Sequence, residues 1–319
     1  FGELTGYVWD NRPMFERVTN NTPYANVYEL CNTNKGYTVN LSLKAEKHFA
    51  FGLDLMASYT WTRSMSINSG TSHVAGSNWM YNATHIDPNE PELGFSAFNV
   101  PHRLQASAYY RAHYGHWQTT VGIIYQGRSG SAYVMEMYGD MNGDGAISND
   151  LMWIPTDQQI DQMRFTPTAV DNRQETYTLI TQVLGPGFHG TLTEDQQRTL
   201  LKRWIAGDSY MRKHRGEYFK RFADNLAFEH HFDVHLAQKY NFRVGRETHA
   251  IELSLDIINL GNLLNKNWGH TYGDAFNVYY SPFSYDGGGF FHFDGTHVAR
   301  NYSDYYSRWR GQIGLRYTF

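Results

Sequence analysis

The sequence predicts an all-β fold, an antiparallel up-and-down transmembrane β-barrel, on three observations. About eight segments alternate apolar and polar residues with a period of two, as strands with two different faces do. Long polar connections alternate with short turns, which argues against a compact water-soluble domain but is typical of an outer-membrane barrel. Aromatic residues make up 16% of the chain, as the two aromatic girdles of such a barrel require.

The last segment, residues 308–319, shows the pattern most clearly. Its apolar face starts and ends with aromatic residues and its other face carries arginines: Trp309, Gly311, Ile313, Leu315, Tyr317 and Phe319 alternate with Arg308, Arg310, Gln312, Gly314, Arg316 and Thr318. About ten residues of a tilted strand cross a bilayer. A membrane strand is favoured, and the closing strand of an ordinary β domain is the alternative.

The preceding strands form three hairpins, each joined by a short turn. The hairpins pair 37–46 with 53–62, 103–112 with 117–125, and 231–236 with 251–257, and residues 1–9 form a weaker first strand. The long loops are 63–100, 128–225 and 262–306. Counting upward from Phe1 places these loops outside the cell and Phe319 at the periplasmic end.

Composition excludes several classes of protein. No run of about twenty apolar residues exists, so a membrane-spanning helix is excluded. The mean hydropathy of −0.56 is compatible with a barrel, whose strands hide half of their residues from lipid. The net charge of −4 argues against nucleic-acid binding. Cys31 is the only cysteine, so a disulfide framework is excluded.

Residues 139–151, GDMNGDGAISNDL, resemble a calcium-binding loop. Oxygen ligands at alternate positions on a curling backbone suit Ca²⁺. Leu151 stands where an EF-hand has its bidentate glutamate. No segments of helical period flank the loop, so this is not an EF-hand pair, and a plain Asx/Gly turn is the alternative. We expect a structural Ca²⁺ with these candidate ligands: Asp140, Asn142, Asp144, Ala146 through its carbonyl, Ser148 and, one position early, Asp150.

Other motifs give weaker predictions. Thr191 and Glu194 have capping-box spacing, which predicts a helix near 194–206 packed within its own loop. His231, Asp233 and His235 share one strand face, where they line a wet lumen or, less favoured, bind a transition metal. The nucleophile-elbow, phosphate-loop and zinc-protease motifs are all missing from the sequence, so we expect that the protein is not an enzyme.

Four stretches, in order, resemble the C-terminal barrel of TonB-dependent outer-membrane transporters. They are FNVPHRLQASAYY (98–110), YGDMNGDGAISNDLMWIP (138–155), LDIINLGNLLNKNWG (255–269) and GLRYTF (314–319). The resemblance is to the Oar-like branch, which contains a carboxypeptidase-regulatory-like domain and is related to the SusC-like importers. The chain end also looks like the signal read by the barrel-assembly machinery, with Leu315, Tyr317 and Phe319 as its apolar positions.

This resemblance implies a bacterial outer-membrane barrel of 22 strands with an N-terminal plug, and active nutrient import through contact with the TonB complex. The chain would be the C-terminal portion of that barrel, 1–319, with 128–225 as a long extracellular insert and the plug outside these residues. The rest of the barrel and the plug would lie in the same or another chain, and a surface lipoprotein could act as a lid. A small closed barrel of eight strands is the alternative.

Two functions follow as hypotheses. The favoured one is import of a glycan, a peptide or a similar nutrient, with the loops capturing the substrate. The other is a structural or adhesive surface barrel whose loops bind a partner protein without transport. Loop aromatics could stack on a ligand in either case: Trp79, Tyr81, Trp153, Trp268, Tyr279 and Tyr280, together with Tyr302 and Tyr305.

Overall fold

The structure is a computed structural model that describes residues 3–16, 27–170, 178–188, 190–272, 279–280, 284–286, 288–293 and 302–319. Eight strands form one antiparallel sheet, which confirms the predicted all-β fold. In chain order these strands are β1 (Tyr37–His48), β2 (Leu53–Ser66), β3 (Gly94–Phe95), β4 (His102–Tyr114), β5 (Trp117–Arg128), β6 (Glu229–Val244), β7 (Glu247–Ile258) and β8 (Arg310–Thr318).

The sheet follows the order of the chain. The seven long strands lie in the order β1, β2, β4, β5, β6, β7, β8, and the two-residue β3 pairs with the end of β2. Among the described strands, β1 pairs only with β2 and β8 only with β7. The sheet therefore has two open edges. Because neighbouring strands are antiparallel and the long strands number seven, β1 and β8 run in the same direction.

Short turns and long connections lie at opposite ends of the sheet. The turns 49–52, 115–116 and 245–246 lie at one end, and the connections 67–101, 129–228 and 259–309 lie at the other. At the first turn, Gly52 has φ +96° and its carbonyl accepts a hydrogen bond from Arg111 N at 2.8 Å. A Cβ at Gly52 would clash with the Arg111 carbonyl, so this turn requires glycine.

The prediction that residues 1–9 form the first strand of the large sheet is wrong. Leu4–Tyr7 pairs instead with Pro13–Phe15, and this small hairpin packs against the long connection 129–228. The alternation of residues 1–9 is poor, and the segment buries Val8 rather than one complete strand face. The eighth strand of the large sheet is the short β3, which the sequence did not predict.

The long connections carry short elements of their own. The helices are α1 (Ala75–Met80), α2 (Asp157–Gln162), α3 (Thr178–Leu184), α4 (Glu194–Gly207), α5 (Leu260–Leu264) and α6 (Asp304–Ser307), with a 3₁₀ turn at Met211–Lys213. The small strand groups are Ala132–Met135 with Asp224–Asn225 and Tyr279–Tyr280; Trp153–Ile154 with Glu217–Tyr218; Arg164–Phe165 with Phe290–His292 and Ser284–Tyr285; and Thr168–Ala169 with Thr191–Leu192. None of the helices in the described ranges has the length and apolar character needed to span a bilayer.

We call these connections, together with residues 3–16, the loop layer (the described parts of 3–16, 67–101, 129–228 and 259–309). It has its own apolar core, to which α4 contributes Leu200, Leu201, Trp204 and Ile205. Burial of each such side chain contributes about 1.5–3 kcal/mol. The helix α4 lies where the sequence predicts it, but it packs against Phe293 of the connection 259–309 as well as within its own loop.

The predicted cap of α4 is wrong by two residues. The N-cap is Thr193, whose hydroxyl accepts from Gln196 N, and the Gln196 side chain bonds back to Thr193 N. Thr191 instead pairs with Ala169 in a small strand. Thr191 with Glu194 and Thr193 with Gln196 both satisfy the capping-box pattern. The strand pairing of Thr191 leaves Thr193 as the N-cap.

Candidate functional site

One face of the sheet is apolar and exposed. Leu43 on β1 is 74% exposed and Ile313 on β8 is 77% exposed. Directly opposed residues share a face, and the pairs Leu43 with Tyr59, Val121 with Leu236 and Leu255 with Ile313 continue the apolar set from β1 to β8. An apolar surface that extends across seven strands is far larger than the patches of a water-soluble monomer. It is the surface that lipid would cover.

The opposite face is polar and hydrogen-bonded between strands. Ser42 and Thr60 hydroxyls lie 3.0 Å apart, and Thr62 Oγ1 donates to Asn40 Oδ1 at 2.7 Å. Toward the turn end, Asp54 accepts from Arg111 Nη1 at 2.6 Å and contacts His48 Nδ1 at 2.7 Å. Such a face suits an aqueous lumen, where polar groups have partners or water.

His231, Asp233 and His235 lie on this polar face but each has its own partner. His235 Nδ1 is 2.6 Å from Asp256 Oδ1 on β7. Asp233 Oδ1 accepts from Asn259 N at 2.8 Å, and His231 Nε2 is 3.3 Å from Thr271 Oγ1. In the part of the chain that the structure describes, no group of three His, Cys, Asp or Glu side chains could hold a metal ion.

The loop layer holds a buried ionic cluster around Arg12. This side chain is fully buried, and Nη1 donates to Asp150 Oδ1 at 2.5 Å. Its Nη2 donates to the Leu151 carbonyl at 2.5 Å and to Asp10 Oδ2 at 3.3 Å. A buried charge is tolerated only with partners such as these. The ion pair fixes the N-terminal hairpin to the connection 129–228.

Two acids of this cluster have raised pKa values. Burial is the main cause for Glu136, whose pKa lies well above its ordinary value, and the Asp150 charge adds to it. Burial also raises the pKa of Asp150 to about 7, although Arg12 and the Met141 N–H oppose that shift. Oε1 of Glu136 has no hydrogen-bond partner within the described residues. A neutral, protonated Glu136 fits this environment.

The calcium-like loop is closed by its own side chains. Asp140 accepts from the N–H groups of Gly143 and Gly145 at 2.7 and 3.0 Å. Asn142 Oδ1 accepts from Asp144 N at 3.0 Å, and Asp144 accepts from Ala146 N at 2.6 Å. The structure thus brings three of the expected ligands, Asp140, Asn142 and Asp144, onto one tight turn.

The three further expected ligands of this loop, Ala146, Ser148 and Asp150, have other surroundings. Both carboxylate oxygens of Asp150 are engaged, one by Arg12 and the other by Met141 N at 2.8 Å. Phe15 N donates to the Asn142 carbonyl at 2.8 Å, and a Cβ at Gly143 would clash with the Phe15 backbone. The N-terminal hairpin therefore lies directly on this loop. Ala146 is buried, whereas Ser148 is half-buried.

The loop aromatics occupy separate places. Trp79 donates to Asn89 Oδ1 at 3.0 Å and contacts Tyr28, whereas Trp153 donates to Gln159 Oε1 at 3.2 Å and contacts Tyr218. Tyr81, Trp268 and Tyr305 are exposed, and Tyr302 stacks on His270 at 3.9 Å. The side chains of Tyr279 and Tyr280 lie outside the described residues. No two described members of the predicted set Trp79, Tyr81, Trp153 and Trp268 are in ring contact.

The predicted C-terminal assembly signal lies on the apolar face. Leu315 and Phe319 are 76% and 86% exposed, and Tyr317 stands opposite Ile251.

Sequence reasoning missed Arg12, Asp10 and Glu136, because nothing in their local sequence indicates burial. Asp10 and Arg12 follow the weakly alternating residues 1–9 and lie in no strand or motif that the sequence predicts.

A family comparison matches the first part of the chain. Residues 5–133 match a family model described as an outer membrane beta barrel domain. The match covers β1 to β5, the region with the clearest hairpins. A search of curated proteins and a search of solved structures each found no match. Together with the exposed apolar face, the family match supports an outer-membrane β-barrel domain in contact with membrane lipid.

Proposed function

We propose that this chain forms the C-terminal strands and the substrate-capturing loops of a TonB-dependent outer-membrane transporter. Its loops face the cell exterior and its C-terminus faces the periplasm. The substrate is a nutrient such as a glycan or a peptide, and the role is transport rather than catalysis. The lipid-facing sheet, the polar opposite face and the packed loop layer at one end support this proposal.

The directions of the two edge strands, β1 and β8, are the main support for the proposal of a larger barrel. β1 and β8 both run from the loop layer to the turn end, so they cannot pair antiparallel. Bacterial barrels of a single chain have an even number of antiparallel strands, and open edges are not tolerated in lipid. An odd number of further strands must therefore separate β1 from β8. The 15 additional strands of a 22-stranded barrel satisfy this condition.

The proposed partners follow from this architecture. They are outer-membrane lipid, the remaining strands and a plug in the same or another chain, the TonB complex reached through the N-terminal part, and a surface lipoprotein as a lid. The test is the intact mass and N-terminal sequence of the protein purified from outer membranes. A polypeptide two to three times this length, or a tightly bound second chain, would support the transporter.

Transport itself needs a separate measurement. Cells that express the protein should accumulate its substrate only while the TonB system is energised, and a protonophore should abolish this uptake. Binding without energised uptake would instead support the surface-binding alternative. A chain that purifies alone at this length would contradict the larger barrel.

We also propose that the loop 140–148 binds a structural Ca²⁺. Asp140, Asn142 and Asp144 would supply side-chain oxygens and Ala146 a carbonyl, as a hard cation prefers. Ca²⁺ should raise the Tm of the purified protein relative to a chelator, and Asp140→Ala should remove this difference. Asp195→Ala on α4 is the matched control. Equal Ca²⁺ effects in both variants would contradict the site.

A further inference from the structure

A pocket on the polar face, at the end of the sheet next to the loop layer, is lined by Arg103 and Arg128 of one row of polar side chains and by Gln105, Gln126 and His231 of a second row. The first row runs across β4, β5 and β6 as Arg103, Arg128 and Glu229, each directly opposite the next. The second row, two residues closer to the turn end, is Gln105, Gln126 and His231. The pocket has a volume of about 180 Å³. Such a volume holds a small solute or one functional group of a larger solute.

The charges of the first row do not balance. Arg128 Nε donates to Glu229 Oε2 at 2.8 Å, and Glu229 Oε1 accepts from Tyr272 N at 3.1 Å, so this buried carboxylate is engaged on both oxygens. Arg103 is exposed, and among the described residues no carboxylate lies within 4.0 Å of its guanidinium. Arg103 therefore adds one unmatched positive charge to the pocket.

Arg103 lies directly opposite Arg128, and its unmatched charge favours binding of an anion between the two side chains. Residues directly opposite in an antiparallel pair have Cβ atoms about 4.5–5.5 Å apart, and like charges in this arrangement are destabilising. A carboxylate or a phosphate between two guanidinium groups would reverse the sign of that interaction, because arginine donates in a planar fork to such groups. Gln105 and Gln126 add amide donors beside the same pocket.

The position of the pocket links it to passage of a solute. It lies where the loop layer joins the sheet, since Ser129 N donates to the His102 carbonyl at 2.9 Å and Thr271 contacts His231. A solute released by the loops toward the polar face would pass these side chains. Lipid is on the other face of the sheet, so a free solute, rather than a lipid headgroup, has access.

We infer that this pocket binds the carboxylate or phosphate group of the transported solute. The inference rests on the proposed import function and narrows the substrate class to anionic solutes. Arg103 is the main anchor, Arg128 is held in place by Glu229, and the two glutamines complete the set of donors.

Calorimetric titration of the full-length protein in detergent tests the inference, with inorganic phosphate and succinate as probes in buffer free of both groups. Arg103→Gln should weaken binding by about tenfold or more, as loss of a charge-assisted hydrogen bond does. Arg243→Gln removes the same charge at the turn end of β6 and should leave binding unchanged. Heat-modifiable migration in gels checks that both variants fold.

A second variant keeps the inference falsifiable if Arg103→Gln fails to fold. Gln105→Glu places a carboxylate inside the pocket and should abolish binding, whereas Gln105→Asn should bind nearly as the wild type does. The inference is wrong if neither probe binds, and a carboxylate of a plug domain that already lies between the arginines would give this result. It is also wrong if Arg103→Gln and Arg243→Gln bind the probes equally well. Energised uptake without anion binding would overturn this inference alone. Anion binding without uptake would overturn the import function and the identification of the anion with a transported solute, and would leave an anion site in the pocket.

Discussion

At the scale of single residues, Arg12 fixes the N-terminal hairpin within the loop layer. Removing one partner of a buried ion pair leaves the other charge uncompensated, at a cost of about 3–5 kcal/mol. Arg12→Met should therefore destabilise the loop layer by about this amount. Hydrogen exchange measures it at the Met137 and Leu151 amides, which are hydrogen-bonded to Asp150 and Thr84.

Arg203→Met on the exposed side of α4 is the matched control, because it removes the same charge without a buried partner. Exchange there should stay close to that of the wild type. If the two variants exchange at the same rate, the ion pair does not hold the hairpin.

The buried acids give the loop layer a pH dependence. An acid whose folded pKa is raised binds more protons in the folded state between its ordinary pKa and the raised one, so the free energy of unfolding falls as pH rises through that window. For Asp150 the window runs from about pH 4 to about 7, and for Glu136 it extends upward from its ordinary value. The loop layer should be more stable at pH 5.5 than at pH 8.

Glu136→Gln tests this assignment, because the amide keeps the shape of a neutral carboxylic acid and cannot ionise. The variant should lose much of the difference in Tm between the two pH values, while Glu217→Gln, on the exposed surface, should keep it. A difference in Tm that is unchanged in Glu136→Gln would mean that other groups cause it.

Local sequence could predict few of these residue-scale features. The oxygen spacing of Asp140, Asn142 and Asp144 is visible because all three lie on one turn. The partner of Asp150 lies 138 residues away at Arg12, and no local pattern connects them. The wrong cap at Thr191 has the same origin. The capping-box pattern fits both Thr191 and Thr193, and the pairing of Thr191 with a strand elsewhere in the chain excludes it as the N-cap.

At the scale of elements, alternation was sufficient to locate the six strands of the three hairpins (β1, β2, β4, β5, β6 and β7) and β8. Each of these strands has one face for lipid and one for water, so its pattern is imposed along its whole length. Residues 1–9 and β3 lack this constraint. The first segment buries a few side chains in the loop layer, and β3 is two residues long. The predictions failed for segments in the loop layer, because packing against other loops does not impose an alternating pattern as contact with the bilayer does.

The two faces of β7 should differ in their tolerance of charge. Leu253 lies near the centre of the strand on the apolar face, and Ser254 lies on the polar face opposite the small residues Ala237 and Gly314. Leu253→Arg should destabilise the protein in a bilayer by about 2–4 kcal/mol, as arginine does at the midplane of a barrel. Denaturant titration of the protein folded into lipid vesicles measures this change.

Ser254→Arg is the control, since it places the same side chain one residue away on the other face. Its effect should be clearly smaller. Equal destabilisation by both variants would mean that the apolar face is not the lipid face.

At the scale of the whole molecule, the parallel directions of β1 and β8 make a specific prediction about closure. In a Cys31→Ser background, Ser42→Cys with Thr60→Cys should form a disulfide, because these residues are directly opposite and their hydroxyls lie 3.0 Å apart. Ser42→Cys combined in turn with Gln312→Cys, Gly314→Cys or Arg316→Cys should form none, because further strands would lie between β1 and β8. Mass spectrometry of the oxidised protein in its native membrane detects either bond. An intramolecular disulfide between β1 and β8 would require the seven strands to close on themselves with one parallel pair, and the larger barrel, with the import that depends on it, would then be wrong.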